Sequence, residues 1–503
     1  MIELLTNAQM AEADRLAIAS GIRGIDLMEN AGRAVAQAIL SRHPRPGRVV
    51  VVAGPGNNGG DGIVAARLLA EHGLDIRVVL LGDREKLKGD AAAAATRWTG
   101  STVRASPDTL GSGELIIDAL FGAGLERAVE GPARAIIEAM NGGGTPIVAV
   151  DLPSGINGTS GAVMGAAVNA TQTVTFFRRK IGHVLLPGRL HCGPVEVADI
   201  GIPASVLNTI RPRTFVNCPV LWGKDFPVPR AEGHKYSRGH AVIVSGELHR
   251  TGAARLAARG ALRAGAGLVT IASSRAALAV NAAASFAIMV QPVEGAAELS
   301  HLLADQRINA VVLGPGGGVG APMRDLVLAA LSGPRGVVLD ADALTSFADD
   351  PESLFSELRK RMNQPTVLTP HSGEFARLFS GLGKLSNSIP KLEATRRASH
   401  ETAVVMVLKG ADTIVAVPDG RAAIAENAPP WLATAGSGDV LAGFAAALLA
   451  QGMPAFEAAC AAVWLHGEAG NAVGPGLISE DLPEVMPAIY RRLFTELKAP
   501  WRA

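Results

Sequence analysis

The sequence predicts two α/β domains, each built around a parallel β-sheet with helices on both faces. The chain has 503 residues, and at about 150 residues per domain this length allows two large domains or three smaller ones. Uninterrupted apolar runs alternate with helical segments, a pattern typical of parallel strands that are buried on both faces. Glycine is abundant, with 58 residues, and many glycines follow the apolar runs, where α/β proteins place ligand-binding turns.

The first half of the chain begins with a helix and continues as an alternation of strands and helices. Thr6 and Gln9 form a capping-box pattern, which predicts a helix from Thr6 to Ser20 that ends at Gly21. Continuous Val, Ile and Leu runs predict buried strands, and the segments between them predict helices. The predicted strands are 49–53, 76–81, 115–118 and 147–150, and the predicted helices are 63–72 and 90–98.

A proline-rich stretch between Ile200 and Glu232 interrupts this alternation. Its periodicity is weak, so we expect a linker near residues 211–222. The first domain is therefore predicted to span residues 1–215, and the second residues 222–503.

The alternation resumes in the second half of the chain. A helix that begins near Asp439 is expected to close the chain, after a hairpin that turns at residues 418–420. The other predicted elements are a helix at 253–264 and strands at 241–245, 268–272, 311–313, 337–339, 366–368, 404–408 and 413–417.

Charge, hydropathy and cysteine content narrow the functional class. Lys and Arg number 47 against 46 Asp and Glu, a net charge of +1, which gives no overall field to attract nucleic acid or an anionic membrane. No apolar run approaches the ~18 residues of a membrane span. The three cysteines, at positions 192, 218 and 460, lie far apart, so neither disulfides nor a zinc site are expected. We predict a cytoplasmic protein with small-molecule substrates, and neither nucleic acid nor membrane as a partner.

A glycine-rich loop at residues 54–62 follows the first predicted strand. It contains a GxGxxG string, with Asp83 at the end of the next strand, as in dinucleotide-binding dehydrogenases. However, Pro55 lacks an amide, and the Asn57-Asn58 pair and Asp61 suit a hard cation or sugar hydroxyls better than a pyrophosphate. A dehydrogenase stays an alternative, although nothing else in the chain supports hydride transfer.

Two further strands end in acidic loops. Asp118 follows the strand at 115–117, and Asp151 follows the strand at 148–150. Because the carboxyl ends of parallel strands share one edge of a sheet, these loops and the glycine-rich loop define one pocket.

The first domain resembles the NAD(P)H-hydrate epimerases. The resemblance rests on five motifs in order: Met28 to Gly32, Asn57 to Gly62, Asp118 to Gly124, Asp151 to Gly155, and Thr175 to Lys180 before Pro187-Gly188. This family interconverts the R and S forms of NADH or NADPH hydrated at C6 of the nicotinamide ring. The resemblance implies a potassium ion held by Asn58, Asp118 and Ser154. It also implies contacts to the hydrate from Asn57, Asn58, Gly59, Gly60, Asp61, Gly122, Ala123, Gly124, Leu125, Glu126, Arg127, Ala128 and Asp151.

Epimerisation at C6 requires water to leave and add again, so the site needs at least one carboxylate that exchanges a proton with the hydroxyl. Asp151 is the candidate for this role. Lys180 is expected to act beside it as an electrostatic or proton-shuttling partner, although a solvated lysine is an alternative.

A second motif, Thr434 to Gly443, precedes an apolar helical stretch near the carboxyl end. Small residues at a helix start expose several backbone amides and the positive end of the helix dipole, which suits a transferring phosphoryl group. Asp439 would lie beside this group and take a proton from an attacking hydroxyl. The chain has no GxxxxGK[ST] string, so a P-loop is excluded.

The Gly436-Ser437-Gly438-Asp439 string resembles the ribokinase-like superfamily, and the whole second domain looks like the ADP- or ATP-dependent NAD(P)H-hydrate dehydratases. The additional strings that carry this resemblance are 252–269, 314–316, 339–344, 368–374 and 408–413. The implied architecture is a Rossmann-like three-layer domain followed by a ribokinase-like α/β domain. The resemblance implies contacts to the S-hydrate from Ala253, Gly316, His371 and Asp439, and to the adenine nucleotide from Lys409, Gly410, Ala411, Asp412, Thr413 and Gly438.

The implied reaction phosphorylates the C6 hydroxyl with ADP or ATP, accompanied by magnesium, and then expels phosphate to regenerate NADH or NADPH. Asp439 would be the general base of the first step. We also expect a homo-oligomer. The alternative is a ribokinase-like kinase for a small molecule such as a vitamin-precursor alcohol, fused to a non-catalytic binding domain.

Overall fold

The computed structural model describes residues 1–43, 47–111, 113–284, 286–362, 364–380 and 389–498. It divides into two compact units, which contain residues 3–214 and 215–503 respectively. Each unit has a mostly parallel sheet between layers of helices, which confirms the predicted fold class of two α/β domains. Among the described residues, no helix combines the length and the hydropathy that a membrane crossing requires.

The first unit contains seven helices and seven strands among its described residues. The helices are α1 Asn7–Ala19, α2 Gly24–Arg42, α3 Asn57–Glu71, α4 Gly89–Arg97, α5 Gly131–Gly142, α6 Gly188–Cys192 and α7 Leu207–Ile210. The strands are β1 Arg48–Ala53, β2 Asp75–Leu80, β3 Thr102–Arg104, β4 Leu115–Ala119, β5 Ile147–Val150, β6 Gln172–Phe176 and β7 Val195–Ala198.

The first sheet has the strand order β3-β2-β1-β4-β5-β6-β7, and its neighbouring strands pair in parallel. Strands β1, β4 and β5 are buried along nearly their whole length, as continuous Val and Ile runs predict. The order reverses between β1 and β4, so the loops that follow these two strands open a crevice at the carboxyl edge.

The second unit has a larger sheet. Its strands are β8 Thr214–Val216, at the boundary, β9 His240–Val244, β10 Leu268–Ser273, β11 Met289–Pro292, β12 Ala310–Leu313, β13 Gly336–Leu339, β14 Thr366–Leu368, β15 Val405–Leu408, β16 Ile414–Ala416 and β17 Ala422–Ile424. Its helices are α8 Pro219–Trp222, α9 Thr251–Arg263, α10 Leu278–Ala283, α11 Gly295–Leu303, α12 Ala321–Leu331, α13 Ala341–Thr345, α14 Pro351–Lys360, α15 Ser372–Leu378, α16 Lys391–Thr402, α17 Ser437–Ala450, α18 Ala455–Val473, α19 Asp481–Glu484 and α20 Met486–Glu496.

The order of the second sheet is β11-β10-β9-β12-β13-β14-β15-β16-β17-β8. Pairing is parallel from β11 to β15 and antiparallel at the predicted hairpin of β16 and β17. Helix α17 is buried along almost all of its length. A Cβ on Gly443 would lie 2.1 Å from the carbonyl oxygen of Ala257, so a glycine at this position allows α17 and α9 to pack closely.

Three local predictions are wrong. Helix α3 begins at Asn57 rather than Ile63, because the polar residues after Gly56 already form its first turns. The expected linker contains β8 and α8 instead, and Trp222 is fully buried. The helix near Asp439 does not close the chain, since α18, α19 and α20 follow it.

Prolines occur in the first turns of α8, α19 and α20, a position that tolerates proline. The three cysteines are free thiols.

Candidate functional site

The first site lies at the carboxyl edge of the first sheet, where the strand order reverses. A cavity of about 990 Å³ opens there, a volume typical of small-molecule sites. Its lining includes Asn58 and Asp61 from α3, Asp151 after β5, and Lys180 after β6. The strand ends therefore bring together the residues that the sequence predicted to share one pocket.

Glycines at this edge allow the backbone to approach closely. A Cβ on Gly54 would lie 1.9 Å from the carbonyl oxygen of Leu120, and a Cβ on Gly59 would lie 1.9 Å from that of Gly54. Any side chain would collide at these distances, so glycine lets the loop after β1 pack against the loop after β4. Close packing thus accounts for Gly54 and Gly59 of the GxGxxG string, whereas a Cβ on Gly56 would meet nothing within 4 Å.

Asp151 and Lys180 form a buried ion pair in the wall of the cavity. Lys180 Nζ donates to Asp151 Oδ1 at 2.5 Å, and Thr175 Oγ1 donates to the same oxygen at 3.0 Å. The other oxygen, Oδ2, accepts from the backbone N–H of Ala123 at 2.9 Å. Asp151 has a φ of 67°, a left-handed conformation that non-glycine residues adopt mostly where the surrounding structure enforces it, often at functional sites.

The surroundings of this pair hold Asp151 ionised. Burial alone would raise the pKa of Asp151, but attraction to Lys180 and the hydrogen bonds bring that pKa below its usual value. Burial lowers the pKa of His183 to about 4, so its ring is neutral. His183 Nδ1 accepts from the N–H of Lys180, and its Nε2 donates to the carbonyl oxygen of Asp151 at 2.8 Å.

Two other carboxyl groups that line the same cavity have the opposite tendency. Burial raises the pKa of Asp61 well above its usual value, and repulsion from Asp151 and Asp14 adds to this effect. Burial also raises the pKa of Asp14 to about 6, although Lys180 attracts its charge. Asp61 therefore binds a proton far more readily than Asp151 does, a difference that separates acid and base roles.

Sequence reasoning missed Asp14. It lies on α1, whose residues Asn7, Ala11, Asp14 and Ile18 share one helical face and line the cavity. The residues Leu4 and Leu5, before this helix, are fully buried, and Leu5 bridges to Lys180. The sequence signal that could have indicated Asp14 is its position beside the apolar stripe of α1.

Oxygen atoms suitable for a monovalent cation lie beside the cavity. Asp118 accepts from Ser154 through both the Oγ hydroxyl, at 2.6 Å, and the backbone N–H, at 2.7 Å. Burial raises the pKa of Asp118 to about 6 despite these bonds. The carboxamide of Asn58 is buried, and neither its oxygen nor its nitrogen has a hydrogen-bond partner among the described residues. A Cβ on Gly122 would lie 2.8 Å from Asn58 Oδ1. An unsatisfied amide oxygen and a buried carboxylate fit a hard cation.

The residues predicted to contact the hydrate divide into three that do not line the cavity and ten that do. Gly59 and Gly60 are buried against protein, where the side chain of Met28 covers Gly60, and Ala128 is exposed on the loop after β4. The predicted residues that do line the cavity are Asn57, Asn58, Asp61, Gly122, Ala123, Gly124, Leu125, Glu126, Arg127 and Asp151.

The second site lies at the carboxyl edge of the second sheet. The order reverses between β9 and β12, and the loops after β12, β13, β14 and β15 follow one another along the edge. These four loops carry Gly316, Asp340, His371 and Lys409 respectively. The adjacent strands therefore bring to one edge of the sheet Gly316, His371 and Lys409, which the resemblance assigns to one site, together with Asp340.

Gly316 and Ala253 lie in contact, as expected for two residues of one ligand site. A Cβ on Gly316 would lie 3.2 Å from the Cβ of Ala253, and Gly316 has a φ of +61°. A Cβ on Gly246 would lie 1.8 Å from the carbonyl oxygen of Gly316. The loops after β9 and β12 therefore touch through backbone atoms at the point where the sheet reverses.

The N-terminus of helix α17 faces the same edge. The helix begins at Ser437, after Gly436 in the left-handed region, and a Cβ on Gly438 would lie 3.3 Å from Lys409 Nζ. His466 of α18 contacts Ser437 Oγ at 3.0 Å and fixes the first turn. The first N–H groups of a helix have no intrahelical acceptor and suit a phosphate.

Asp439 is the third residue of α17, so its side chain lies close to these amides. Burial is the largest factor that raises the pKa of Asp439 to about 7, repulsion from Asp340 and Asp342 adds to it, and Lys409 opposes it. A base whose pKa lies near neutrality is well matched to removing a proton from a hydroxyl at physiological pH.

Lys409 makes a buried ion pair with Asp340, to which the sequence analysis assigned no role. Lys409 Nζ donates to Asp340 Oδ1 at 2.6 Å, and the Asp340 side chain is 2% exposed. Burial alone would lower the pKa of Lys409, but attraction to Asp340, and more weakly to Glu374 and Asp439, raises it. The signal available in the sequence was the position of Asp340 directly after a buried Val-Val-Leu strand.

His371 combines a structural contact with an exposed ring. Its Nδ1 accepts from the N–H of Gly373 at 2.9 Å and caps helix α15. More than half of the side chain, 54%, is exposed, and Nε2 lies 3.4 Å from Glu374 Oε1. The ring is thus held in place while one of its edges stays accessible.

The predicted nucleotide residues 410–413 form a closed turn between β15 and β16. The N–H of Gly410 donates to Thr413 Oγ1 at 3.1 Å, and that hydroxyl donates back to the carbonyl oxygen of Gly410 at 2.7 Å. Lys391, which sequence reasoning missed, donates to Asp412 Oδ1 at 2.5 Å. This lysine neutralises an acidic side chain that would otherwise repel a phosphate.

Two family models match the chain. A model described as NAD(P)H-hydrate dehydratase matches residues 241–478. A model described as YjeF-related protein N-terminus matches residues 24–182, so helix α1 and Asp14 precede the matched region.

Similar proteins cover the chain almost completely. The bifunctional NAD(P)H-hydrate repair enzyme Nnr of Moorella thermoacetica is 36% identical over an alignment of 529 residues including gaps, which covers 98% of this chain and 98% of that protein. The enzyme of the same name from Coxiella burnetii is 36% identical over 496 residues, 96% of this chain and 98% of that protein. The crystal structure of ADP/ATP-dependent NAD(P)H-hydrate dehydratase from Bacillus subtilis, co-crystallised with ATP/Mg²⁺, is 25% identical, covers 55% of this chain and 98% of that chain, and has a TM-score of 0.48.

Proposed function

The chain belongs to the family of bifunctional NAD(P)H-hydrate repair enzymes, and from this premise we propose how its two sites divide the work. The enzyme is both an isomerase and a lyase: it epimerises the R and S hydrates of NADH and NADPH, and it dehydrates the S epimer with ADP or ATP. We assign epimerisation to residues 1–215 and dehydration to residues 222–503. The opposite pKa shifts of two carboxyl groups in one cavity, lowered for Asp151 and raised for Asp61, support the first assignment.

In the epimerase site, we assign the proton to Asp61 and the fixed negative charge to Asp151. Protonated Asp61 gives its proton to the C6 hydroxyl, the C6–O bond breaks, and water leaves. The positive charge that develops on the ring is stabilised by the carboxylate of Asp151. Water then adds to the opposite face of C6 and returns a proton to Asp61. This division differs from the expectation that Asp151 itself passes the proton, because the ion pair with Lys180 lowers its proton affinity.

A potassium ion fits the oxygen atoms of Asn58, Asp118 and Ser154. The unpartnered amide of Asn58 and the raised pKa of Asp118 support this assignment. When bound, the ion would supply a positive charge that keeps Asp118 ionised. The ion would then hold together the start of α3, the end of β4 and the loop after β5, which carry Asn58, Asp118 and Ser154 respectively.

In the dehydratase site, Asp439 takes the proton of the C6 hydroxyl while that oxygen attacks the terminal phosphorus of the nucleotide. The bond from phosphorus to the leaving phosphate oxygen breaks, which releases AMP from ADP or ADP from ATP. The amides at the N-terminus of α17 and the ammonium of Lys409 stabilise the transferring phosphoryl group. Phosphate then leaves from C6 and a proton is lost from C5, so the C5=C6 double bond of NADH or NADPH forms again. Phosphorylation favours this elimination because phosphate is a far better leaving group than hydroxide.

The nucleotide is expected to lie along Lys409, residues 410–413 and Gly438, and the hydrate along Ala253, Gly316, His371 and Asp439. The contact of Gly316 with Ala253, and of Gly438 with Lys409, supports two adjacent subsites. Magnesium would enter with the nucleotide.

Purified R and S hydrates of NADH, supplied with ADP or ATP, test this proposal. The absorbance of the reduced nicotinamide should rise only with nucleotide, and orthophosphate should appear in equal amount. A small-molecule kinase would instead accumulate a stable phosphorylated product. Asp439→Asn should lose NADH recovery and keep epimerisation, whereas Asp151→Asn should do the reverse when the pure S epimer is supplied.

The three free cysteines support a reducing compartment, and we assign the protein to the cytoplasm. The homo-oligomer stays a prediction, which size-exclusion chromatography with light scattering would test.

A further inference from the structure

We propose that Asp340 is a positioning residue for phosphoryl transfer, which holds the ammonium of Lys409 at the N-terminus of α17 and away from Asp439. The inference rests on the proposed dehydratase function of the second site. It assigns a role to a residue that touches neither the hydrate nor the nucleotide in the scheme above.

The contacts of Lys409 favour this role. Its Nζ lies 2.6 Å from Asp340 Oδ1, and a Cβ on Gly438 would lie 3.3 Å from the same ammonium and 3.9 Å from Asp340 Oδ2. The ion pair is therefore adjacent to the first turn of α17, where Asp439 is also located. Lys409 is attracted to three carboxylates, those of Asp340, Glu374 and Asp439, and in the structure it pairs with Asp340.

The backbone on both sides of Asp340 is tightly constrained. A Cβ on Gly314 would lie 1.7 Å from the carbonyl oxygen of Asp340, and Gly314 has a φ of +118°. The N–H of Asp340 donates to the carbonyl oxygen of Leu313 at 3.1 Å. Ala341, the next residue, has a φ of 45°, a left-handed conformation that costs energy for a residue with a Cβ. Strain of this kind persists only where neighbouring structure enforces it, and it is concentrated at functional sites.

The pairing has a chemical purpose. A lysine that was free to move would form an ion pair with Asp439, which would lower the proton affinity of the base and withdraw the positive charge from the phosphoryl group. With Asp340 as its partner, Lys409 keeps its charge beside the helix N-terminus, and Asp439 stays available to accept the proton of the C6 hydroxyl.

The charges around Asp439 predict how a variant will behave. Among the described residues, the charged or titratable groups on the neighbouring loops and helices include Asp340, Asp342, Glu374 and Lys409, together with Arg250, His371 and His466. Asp340 and Asp342 both raise the pKa of Asp439, and Lys409 lowers it. In Asp340→Asn one repulsion is lost and Lys409 is released toward Asp439. Both changes move the pKa of Asp439 downward, so the acidic limb of the pH profile should shift to lower pH while the rate falls.

The test compares Asp340→Asn with Asp342→Asn in the full chain. Asp342 also repels Asp439, but its Oδ2 accepts from the N–H of Gly318 at 2.9 Å and lies 3.9 Å from Arg250 Nη1. Asp342→Asn therefore removes the same charge as Asp340→Asn but leaves the ion pair of Lys409 with Asp340 intact. We expect Asp340→Asn to lower kcat for NADH recovery at least tenfold and to shift the acidic limb, and Asp342→Asn to shift the limb with kcat within threefold of the wild type. Epimerase activity in the same chain reports that the protein is intact.

A double-mutant cycle keeps the test decisive if Asp340→Asn weakens folding. If Asp340 acts through Lys409, then Asp340→Asn should reduce kcat by less than twofold further in a Lys409→Gln background. An equal loss in both backgrounds, equal loss from Asp342→Asn, or a wild-type rate in Asp340→Asn would overturn the inference. A wild-type enzyme that recovers no NADH with any nucleotide would instead refute the proposed function.

Discussion

Replacement of Lys180 by methionine measures the energetic value of its buried pair with Asp151. Methionine has a similar length and an apolar stem but cannot neutralise the carboxylate. Asp151 would keep its hydrogen bonds from Thr175 and Ala123, but its charge would lose the ammonium that is 1% exposed in the wild type. Removal of one partner from a buried pair typically costs about 3–5 kcal/mol, and we expect a loss of this size in the free energy of unfolding of the first domain at neutral pH.

This loss should become smaller as the pH falls. In the wild type the folded-state pKa of Asp151 is lowered, so its carboxylate contributes stability above the unfolded-state pKa, and this stability is lost as the pH falls through the folded-state pKa. Without Lys180, burial dominates, the folded-state pKa of Asp151 rises, and the group destabilises the domain as the pH rises. Lys180 also lowers the pKa values of Asp14 and Asp61, so its loss affects them in the same direction. The variant should therefore approach the wild type in stability between about pH 8 and about pH 5.

Hydrogen exchange at increasing urea concentration, read by mass spectrometry on peptides from residues 147–180, measures the free energy locally in the full chain. Lys86→Met is the matched control, because Lys86 pairs with Asp83 at 2.6 Å but is 80% exposed, and surface pairs contribute little. A loss below about 1 kcal/mol for Lys180→Met, the value of a surface pair, would refute the reasoning. So would a stability difference that widens as the pH falls.

Three further predictions concern the two sites. The rate of NADH recovery should fall on the acidic side with a midpoint near pH 7, because Asp439, with a pKa of about 7, must be ionised to act as a base. Initial rates across the pH range check this. A midpoint below about pH 5 would exclude Asp439 as the general base. Asp14→Asn should remove a repulsion that raises the pKa of Asp61, so epimerisation should slow several-fold more at alkaline than at acidic pH. Chromatography of the two epimers measures this rate. A loss of rate that does not depend on pH would indicate that Asp14 has a structural role instead. Asn58→Ala should abolish any stimulation of epimerisation by potassium over sodium, which stopped-time assays in the two salts would detect; an unchanged salt response would remove Asn58 from the ion site.

The parts of the fold that sequence predicts well are those in which local pattern and burial agree. The continuous Val run of β1 is buried in the sheet, and the Thr6–Gln9 capping box is present at the start of α1. The start of α3 could not be predicted in the same way. Asn57 to Gly62 has poor helix propensity, and its glycines pack closely against distant parts of the chain: a Cβ on Gly60 would lie 2.6 Å from the side chain of Met28, and a Cβ on Gly62 would lie 2.4 Å from the Cβ of Ala119 in β4.

The same reasoning explains which site residues were missed. Asp151 follows a strand and Asp439 lies at the start of a helix, so the local pattern indicates both, whereas His371 was assigned from the family resemblance. Asp14 lies in the middle of a helix that precedes the sheet, and only the folded chain brings it to the cavity. Asp340 follows a strand, but its importance depends on its partner, Lys409, 69 residues away in the sequence. Partner choice between several carboxylates is a property of three-dimensional distance, which sequence spacing does not contain.

Both sites separate acid and base functions with the same device. In each, one lysine is surrounded by several carboxylates and pairs with one of them: Lys180 with Asp151 at 2.5 Å, and Lys409 with Asp340 at 2.6 Å. Burial is the main cause of the raised pKa of the carboxyl group that the lysine does not pair with, Asp61 in the first site and Asp439 in the second, and repulsion from the paired carboxylate adds to it. A carboxyl group of high proton affinity suits an epimerase that must protonate a hydroxyl, and one that titrates near neutrality suits a transferase that must deprotonate it. In the proposed scheme, the pairing of each lysine leaves the other carboxyl group to exchange a proton with the C6 hydroxyl. Exchanging the partners by mutation should then move the pH optimum of one activity while leaving the other unchanged.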